Sequence, residues 1–518
     1  MLSKILYWVT ALIISAVASK RALLFFQQNR YEAKRYSAWL KKYFLTEVFD
    51  IVNPIFLVAA IILKLLKINK TVIMVVALIY ALLLLVKEGG REYIKNLVLT
   101  RRVKTQIAVL AVLIICYLLV FRHQAYALIL LEYVIFLMIF FMHLITLPIE
   151  RAIYNYYIND AKKVLSHNPD LVKIGITGSY GKTSVKHLVN HLLEAKYYSL
   201  MTPASFNTPM GICRIVRGEL KNIHEVFVCE MGADKVGDID ELLDFIEPSI
   251  SIVTSIGPQH LQTFKSLDNI IKEKMKAVEK LDKNGFAVIN VDNEYIRDYQ
   301  IKNPVKVIRV GIKNTSEADY YAYDIRSSIE GSSFTVHFPD GEEKFQSRLL
   351  GEHNVLNILL AIAIADQLGV SREMIKTQVS TLEYVEHRLQ LRNINGFNFI
   401  DNAYNSNPVS SKLSIDTLAG FDRKKIVVTP GFIDLGVEED RYNYEFGQYM
   451  ADKVDKIILV GRHQTEKIRQ GLIDKGFEQD KILTVDKVAE AFDHIYRQEN
   501  SEEVIVLLEN DLPDAFNN

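Results

Sequence analysis

Apolar residues crowd the first 150 positions, where they form five segments: roughly 5–18, 48–62, 71–86, 107–120 and 126–149. A helix needs about 20 mostly apolar residues to cross the hydrocarbon of a bilayer. The third and fifth segments reach that length with their flanks. The first and second are shorter. They are edged by Lys20, Arg21, Lys64 and Lys67, whose charged tips can snorkel to the interface. No small-residue cleavage site at the end of the first segment is convincing, and further apolar segments come after it. It is therefore expected to be retained, not removed as a signal peptide. Residues 1–150 are expected to form a transmembrane domain of about five helices. The alternative is four spans, with the first segment lying in the interface.

Beyond residue 150 the pattern changes. Short β-branched runs alternate with helical periodicity from about 165 to 386, which predicts a mostly parallel sheet with helices on both sides. Residues near 305–350 read as β-rich. From 387 to 518 the alternation repeats, with buried-strand candidates at 425–429, 456–460 and 504–508. The fold class is α/β, behind a multi-span helical membrane domain. The domains are expected at 1–150, 151–386 and 387–518.

Charge adds an orientation. Lys+Arg and Asp+Glu both number 61, so no net charge argues for nucleic acid. The basic residues of the first domain are uneven, however. The loop after the first segment carries Lys20, Arg21, Arg30, Lys34, Arg35, Lys41 and Lys42, and the loop after the third carries Lys87, Arg91, Lys95, Arg101, Arg102 and Lys104. The other two loops are poorer. By the positive-inside rule, five spans put the N-terminus outside and everything after about residue 150 in the cytoplasm, as a multi-pass protein of the cell membrane. Cys116, Cys213 and Cys229 show no CxxC spacing, which argues against a disulfide framework or a zinc site.

The first chemistry appears after the run 172–176. Thr177-Gly178-Ser179-Tyr180-Gly181-Lys182-Thr183-Ser184 lies between that strand candidate and a helix bearing Val185, Leu188, Val189 and Leu192 at helical spacing. Glycines let backbone N–H groups curl around an anion, and the helix N-terminus adds its positive end. Gly178, Ser179, Gly181, Lys182, Thr183 and Ser184 are the nucleotide-binding candidates. Lys182 is suited to the β/γ-phosphates and Thr183 to Mg²⁺.

TGSxGKTS resembles the phosphate loop of the Mur ligase family, and further motifs follow in family order. Residues 202–211 (TPASFNTPMG) resemble its TPxxxNxxxG loop. Glu230 ends a strand candidate as the family's metal-binding glutamate does. Residues 254–260 (TSIGPQH) resemble TNIxxxH, and 271–274 (IKEK) the stretch holding a carbamylated lysine. Residues 351–357 (GEHNVLN) resemble the adenine motif. Residues 387–390 (HRLQ) and 401–408 (DNAYNSNP) complete the series. The last is close to the DDSYNANP signature of the D-Ala-D-Ala-adding branch. The resemblance covers about 165–460.

What the resemblance implies is an ATP- and Mg²⁺-dependent ligase that activates a carboxylate as an acyl phosphate and couples it to an amine. Lys182, His260, Lys274 and Arg388 would be catalytic. Thr183, Glu230, His260 and a carbamylated Lys274 would hold metal. For Lys274 the competing reading is a solvated basic helix face with Lys272 and Lys276. Asn354 and Asn357 would meet adenine, with helix capping as the alternative for Asn354. Asp401 would contact the nucleotide from a mobile Rossmann-like C-terminal domain. Asn207, Thr208, Tyr404, Asn405 and Asn407 would shape the substrate sites; a plain strand-to-helix turn is the alternative for the last three.

Two departures bear on substrate. A membrane domain stands where that branch carries a UDP-sugar-binding domain. The KGSRxxxME-type ending is replaced by Glu509-Asn510-Asp511-Leu512-Pro513-Asp514 after the 504–508 strand. The expected partners are a small-molecule amine, a glycan- or lipid-linked carboxylate, membrane lipid and a membrane partner of envelope synthesis. A catalytically silent nucleotide-binding scaffold is the competing class. A transport ATPase is weaker, since Glu132 and His143 are the main ionisable residues within the apolar segments.

Overall fold

A computed structural model describes residues 1–510 except 50–51, 92, 94–95, 123, 205, 329, 385–388, 404–407, 433–434, 436–437 and 463–464. The chain forms two compact units, Met1–Tyr156 and Tyr157–Asn518.

The first unit is helical: α1 (Leu2–Gln28), α2 (Ala33–Tyr43), one turn of π-helix (Phe44–Val48), α3 (Val52–Leu65), α4 (Lys70–Gly89), α5 (Arg101–Val120) and α6 (Ala125–Ser166), whose last turns belong to the second unit. By length and composition α1, α4, α5 and α6 are long and apolar enough to cross a membrane. The segment expected at 48–62 gives only the 14 residues of α3. At 1.5 Å per residue that is about 21 Å, short of a ~30 Å hydrocarbon core. Thus the short helix is the second apolar segment, while the first forms the 27 residues of α1.

Polar contacts tie the described first turn of α3 into the bundle. Asn53 in its first turn donates to Tyr80 Oη in the middle of α4 (2.6 Å) and to the Ile129 carbonyl (3.0 Å). The preceding α2 is amphipathic. Its Trp39 stacks on Phe25 at 4.2 Å and its Tyr36 donates to the Phe136 carbonyl, while Lys34, Lys41 and Lys42 lie away from that packing.

Contacts also sort the loops into two ends. At one end Tyr7 donates to the Leu118 carbonyl (2.9 Å) and Lys64 to Gln124 (3.0 Å). At the other, Gln27 brackets the Val98 peptide (3.0 and 2.9 Å), Arg102 lies over the Tyr31 ring, and Arg102 pairs with Glu150. Among α1, α3, α4, α5 and α6, each helix after the first therefore reverses the direction of the one before. Both basic loops lie at the end where the chain reaches Glu150.

Arg21 and Glu132 are buried within this bundle, Nη1 to Oε1 at 3.0 Å, with Glu88 3.9 Å from Arg21 Nε and the Glu47 carbonyl accepting from Nη2. A buried carboxylate is costly unless paired. Glu132 is one of the two main ionisable residues within the apolar segments, and the structure supplies its cation from 111 residues away.

The second unit holds two sheets. In the first, β1 (Val172–Thr177), β2 (Ser199–Met201), β3 (Val226–Glu230), β4 (Ile250–Val253), β5 (Phe286–Asn290), β6 (Lys306–Gly311), β7 (Tyr320–Ser328), β8 (Gly331–Phe338) and β9 (Gly341–Ser347) take the order β2-β3-β1-β4-β5-β6-β7-β8-β9. Pairing is parallel up to β7 and antiparallel from β7 to β9. In the second, β10 (Gln390–Ile394), β11 (Phe397–Asn402), β12 (Lys424–Thr429), β13 (Lys456–Val460), β14 (Ile482–Val485) and β15 (Val504–Glu509) take the order β10-β11-β15-β12-β13-β14. Only β10 is antiparallel to its neighbour.

Period-2 geometry fills both faces. Val226 and Val228 of β3 enter one core, and Phe227 and Cys229 the opposite one. Helices cover both sides of the central parallel strands, so β1, β3 and β4 are buried almost throughout, whereas the antiparallel β7 and β9 alternate buried and exposed positions. In open parallel sheets a ligand crevice opens at the carboxyl ends of the strands. That is where β1 and β3 deliver Thr177 and Glu230.

Candidate active site

Between β1 and α7 (Lys182–Leu193) the backbone turns through Gly178 (φ 154°) and Gly181 (φ 82°). A Cβ at Gly178 would lie 2.1 Å from Thr254 Oγ1, so only glycine fits. The turn is stitched to residues 254–257. Ser179 Oγ donates to the Gly257 carbonyl (3.0 Å), and Thr254 and Ser255 donate to the Tyr180 carbonyl (2.5 and 3.1 Å). Burial holds the Tyr180 phenol up at about 12, so it stays protonated and donates to the Pro258 carbonyl (2.9 Å). The result is a rigid concave loop at a helix N-terminus, suited to an anion.

Lys182 folds back on this loop, donating to the Gly178 (2.8 Å) and Ser179 (3.2 Å) carbonyls. Thr183 Oγ1 donates to Glu230 Oε2 at 2.9 Å. Asn207 donates to the other oxygen, Oε1, at 3.1 Å, and Lys186 Nζ lies 3.4 Å from Oε2. Glu230 is buried at the end of β3. A carboxylate and a hydroxyl beside a phosphate loop fit Mg²⁺, which favours oxygen donors and keeps positions for phosphate and water.

The other metal candidates lie nearby but apart from that pair. His260, at φ 52°, has Nε2 3.2 Å from Asp234 Oδ1. Lys274 donates to the Gly178 carbonyl (2.8 Å), the same oxygen that Lys182 uses. It is 1% exposed, which excludes a solvated basic face for it. Burial, then the Lys182 charge, holds its amine down at about 7, against the pull of Glu273 and Asp234. As an ammonium it cannot hold a metal, and as a neutral amine it is a poor donor for Mg²⁺; a carbamate on it would offer oxygens. Among the described residues no three His, Cys, Asp or Glu side chains converge on one point.

A cavity of about 850 Å³ opens above the loop, lined by both domains of the second unit. Ser184, Asn207, Glu230, Asn354 and Asn357 line it from one side and Asn402, Ser410 and Leu413 from the other. Asn357 Oδ1 would be 3.2 Å from a Cβ on Gly181, so its amide hangs over the phosphate loop. Asn354 is buried and donates to the Leu350 carbonyl (2.9 Å).

Two expected residues take other contacts. Thr208 Oγ1 accepts from the Gly211 N–H, capping the helix Pro209–Gly218. Asp401 pairs with Arg392 (3.2 Å) and accepts from the Ala403 N–H, while its neighbour Asn402 lines the cavity. Asn402 in turn donates to Glu509 (2.8 Å), a buried carboxylate that also accepts from Ser411 and Ser414. Glu509 thus ties the end of β11 to the helix Pro408–Ala419. Arg388, Tyr404, Asn405 and Asn407 lie outside the described residues.

Sequence reasoning missed Lys186, Asn290 and Asp292. The last accepts the N–H groups of Ile312, Lys313 and Asn314 (2.7, 2.9 and 2.8 Å) and holds that turn against the cavity. No local motif marks Asn290 or Asp292. Lys186 has one signal, a lysine on the apolar stripe of α7.

Known proteins share these features. The Mur ligase middle domain matches residues 176–365 and the Mur ligase, glutamate ligase domain matches 387–508. The chain is 31% identical over 314 residues to the UDP-N-acetylmuramoyl-tripeptide–D-alanyl-D-alanine ligase of Bacillus subtilis (strain 168), covering 60% of this chain and 66% of that one. To the enzyme of that name from Buchnera aphidicola subsp. Baizongia pistaciae (strain Bp) it is 31% identical, covering 57% and 64%. The chain thus spans under two thirds of the length of these relatives. Among solved structures it resembles MurF from Acinetobacter baumannii, with 24% identity, TM-score 0.61 and coverage of 69% and 77%. It also resembles MurF ligase from Thermotoga maritima in complex with ADP, with 22% identity, TM-score 0.61 and coverage of 69% and 80%. At these identities the structural likeness is one of fold.

Proposed function

We propose that this chain, which belongs to the Mur ligase family through its middle and C-terminal domains, is an ATP-dependent ligase of peptidoglycan synthesis that joins a carboxylate to the amine of an amino acid or dipeptide. The observation that carries this reading is the 2.9 Å bond between Thr183 and Glu230 beside the glycine loop. It sets two hard oxygen donors where the outer phosphates of a nucleotide in the cavity would lie.

The chemistry runs in two steps. A carboxylate oxygen attacks the γ-phosphorus, the bond to the β–γ bridging oxygen breaks, and ADP leaves. The amine then attacks the acyl carbon, phosphate leaves with that oxygen, and the amine nitrogen loses a proton. Positioning and charge neutralisation supply most of the acceleration in such a transfer. Lys182 would turn from the Gly178 carbonyl to the β/γ-phosphates. Thr183 and Glu230 would hold Mg²⁺, which when bound neutralises phosphate charge. Asn207, tethered to Glu230, would face the carboxylate, and Asn354 and Asn357 the adenine. Arg388 and Asp401 would act at the nucleotide, and Tyr404, Asn405 and Asn407 at the amine. Water exclusion would protect the acyl phosphate.

The curated relatives are named for UDP-N-acetylmuramoyl-tripeptide and D-alanyl-D-alanine, and the 401–408 signature supports the dipeptide. The membrane unit supports a lipid- or glycan-linked carboxylate, since five apolar helices exceed what a tether needs. In the test, the full-length chain in detergent is given ATP, Mg²⁺, the UDP-linked or lipid-linked tripeptide, and D-Ala-D-Ala. One ADP per amide is expected, and only with both substrates present. ATP hydrolysis uncoupled from amide formation would refute the reading. A silent scaffold has no observation in its favour, since Lys182, Thr183 and Glu230 are all in bonding positions.

We infer that the basic end of the bundle, and with it the ligase, faces the cytoplasm. With Cys116→Ser, single cysteines at Ile68 or Arg122 should react with an impermeant maleimide on intact cells. Cysteines at Lys41 or Leu99 should stay protected until the cells are opened. The opposite pattern would invert the topology.

A further inference from the structure

Lys186 sits one helical turn past Lys182 and Thr183 on α7, and its side chain has no exposed surface. An ammonium taken out of water costs several kcal/mol unless it is paired and hydrogen-bonded. Here Nζ bonds the Ala204 carbonyl (2.5 Å) and lies 3.4 Å from Glu230 Oε2. Ala204 has φ 42°, a left-handed conformation that an alanine holds only when its surroundings fix it. The same Glu230 carboxylate takes Thr183 on Oε2 and Asn207 on Oε1. One buried ammonium therefore meets three parts of the site: the phosphate-loop helix, the carboxylate ending β3, and the loop that carries Asn207.

We propose that Lys186 is a positioning residue that fixes the Glu230 carboxylate and the Ala204 turn, and so sets the metal-facing geometry and the distance from it to Asn207. This rests on the reading that Glu230 and Thr183 hold the divalent ion. Two effects of the ammonium oppose each other. Its charge repels a cation arriving at Glu230, which weakens binding. Its bonds hold the carboxylate in one orientation, which strengthens it. Groups that orient a metal ligand are typically worth about 10–100-fold in affinity, so orientation is expected to win.

The sign of the effect is the test. Mn²⁺ binding to the full-length chain with saturating ADP is followed by its electron spin resonance signal, for the unaltered protein and for Lys186→Met. ADP binding without a divalent ion and the melting temperature are measured in parallel. The proposal expects Mn²⁺ to bind at least about tenfold more weakly to Lys186→Met, with metal-free ADP binding unchanged. Equal or tighter Mn²⁺ binding would overturn it, since loss of charge alone acts in that direction. If Lys186→Met does not fold, Lys186→Leu, which also removes both the donor and the charge, is read by the same criterion. Absence of Mn²⁺ binding by the unaltered chain would instead overturn the metal reading of Glu230, and this proposal with it.

Discussion

Lys182→Ala is expected to lower ATP turnover by about a hundredfold or more while leaving the fold intact. The lysine's two bonds are to carbonyls of its own loop, Gly178 and Ser179. The loop is held independently by Ser179, Thr254 and Ser255, so little structure depends on the ammonium. On the proposed mechanism, what would be lost is the positive charge at the transferring phosphoryl group. Removing one preorganised charge-stabilising group at a reacting centre commonly costs about 10²–10³ in rate. ADP release with both substrates present measures the loss, and the melting temperature checks the fold. A loss below about tenfold would be too small for a group meeting developing charge.

Lys274→Ala should cost about as much, with a different signature. Its amine, held at about 7 by burial and by the Lys182 charge, is substantially neutral at physiological pH. A neutral amine can attack carbon dioxide, forming an N–C bond and releasing a proton. The resulting carbamate is an anion next to the phosphate loop. The alanine variant should therefore regain part of its activity with formate or acetate, and the unaltered enzyme should lose activity in carbon dioxide-free buffer. Full activity of Lys274→Ala without additive would exclude the role. As pH falls below about 7 the amine is increasingly protonated and carbamate formation should fail.

The same shift has a stability consequence with a definite sign. The uncarbamylated lysine titrates near 7 when folded and near 10.5 when free. The unfolded chain therefore binds more protons between those values. The lysine's contribution is at its worst below about 7 and improves as pH rises to 10.5. Thermal melts of metal-free, carbon dioxide-free protein across that window would show it as a slope that Lys274→Ala removes.

Much of this was legible in the sequence, and the parts that were not share a physical cause. The glycine loop needs a strand, a left-handed turn and a helix N-terminus in succession, so Thr177–Ser184 announces itself locally. Buried parallel strands such as Val226–Glu230 and Val504–Glu509 read as unbroken apolar runs for the same reason. Residues that act across the fold leave no such trace. Asp292 matters because a turn twenty residues later wraps its carboxylate. Arg21 reads as a flanking snorkel, yet it is the buried partner of Glu132. Lys186 reads as a polar break in an apolar stripe, and only the arrival of Glu230 and Ala204 gives it a role. Hydropathy marked 48–62 as a span, because it weighs apolar content and ignores the polar bonds that tie Asn53 to Tyr80 and Ile129 inside the bundle. Thr208 matched a substrate-loop motif, while its hydroxyl serves the helix it precedes.

The central claim is that the cavity above the glycine loop activates a carboxylate by phosphorylation before an amine takes its place. Isotope transfer tests it without assuming which acceptor the membrane unit serves. The tripeptide substrate, UDP-linked or lipid-linked, is labelled with ¹⁸O in its terminal carboxylate. It is incubated with ATP, Mg²⁺, D-Ala-D-Ala and the full-length chain, and the released phosphate is analysed by mass spectrometry. One ¹⁸O in each phosphate, matched by one new amide, is the expected result, because the attacking carboxylate oxygen leaves on phosphorus. Phosphate free of ¹⁸O, with its fourth oxygen drawn from solvent, would mean that water attacks the nucleotide, and that the chain is not a ligase of this kind.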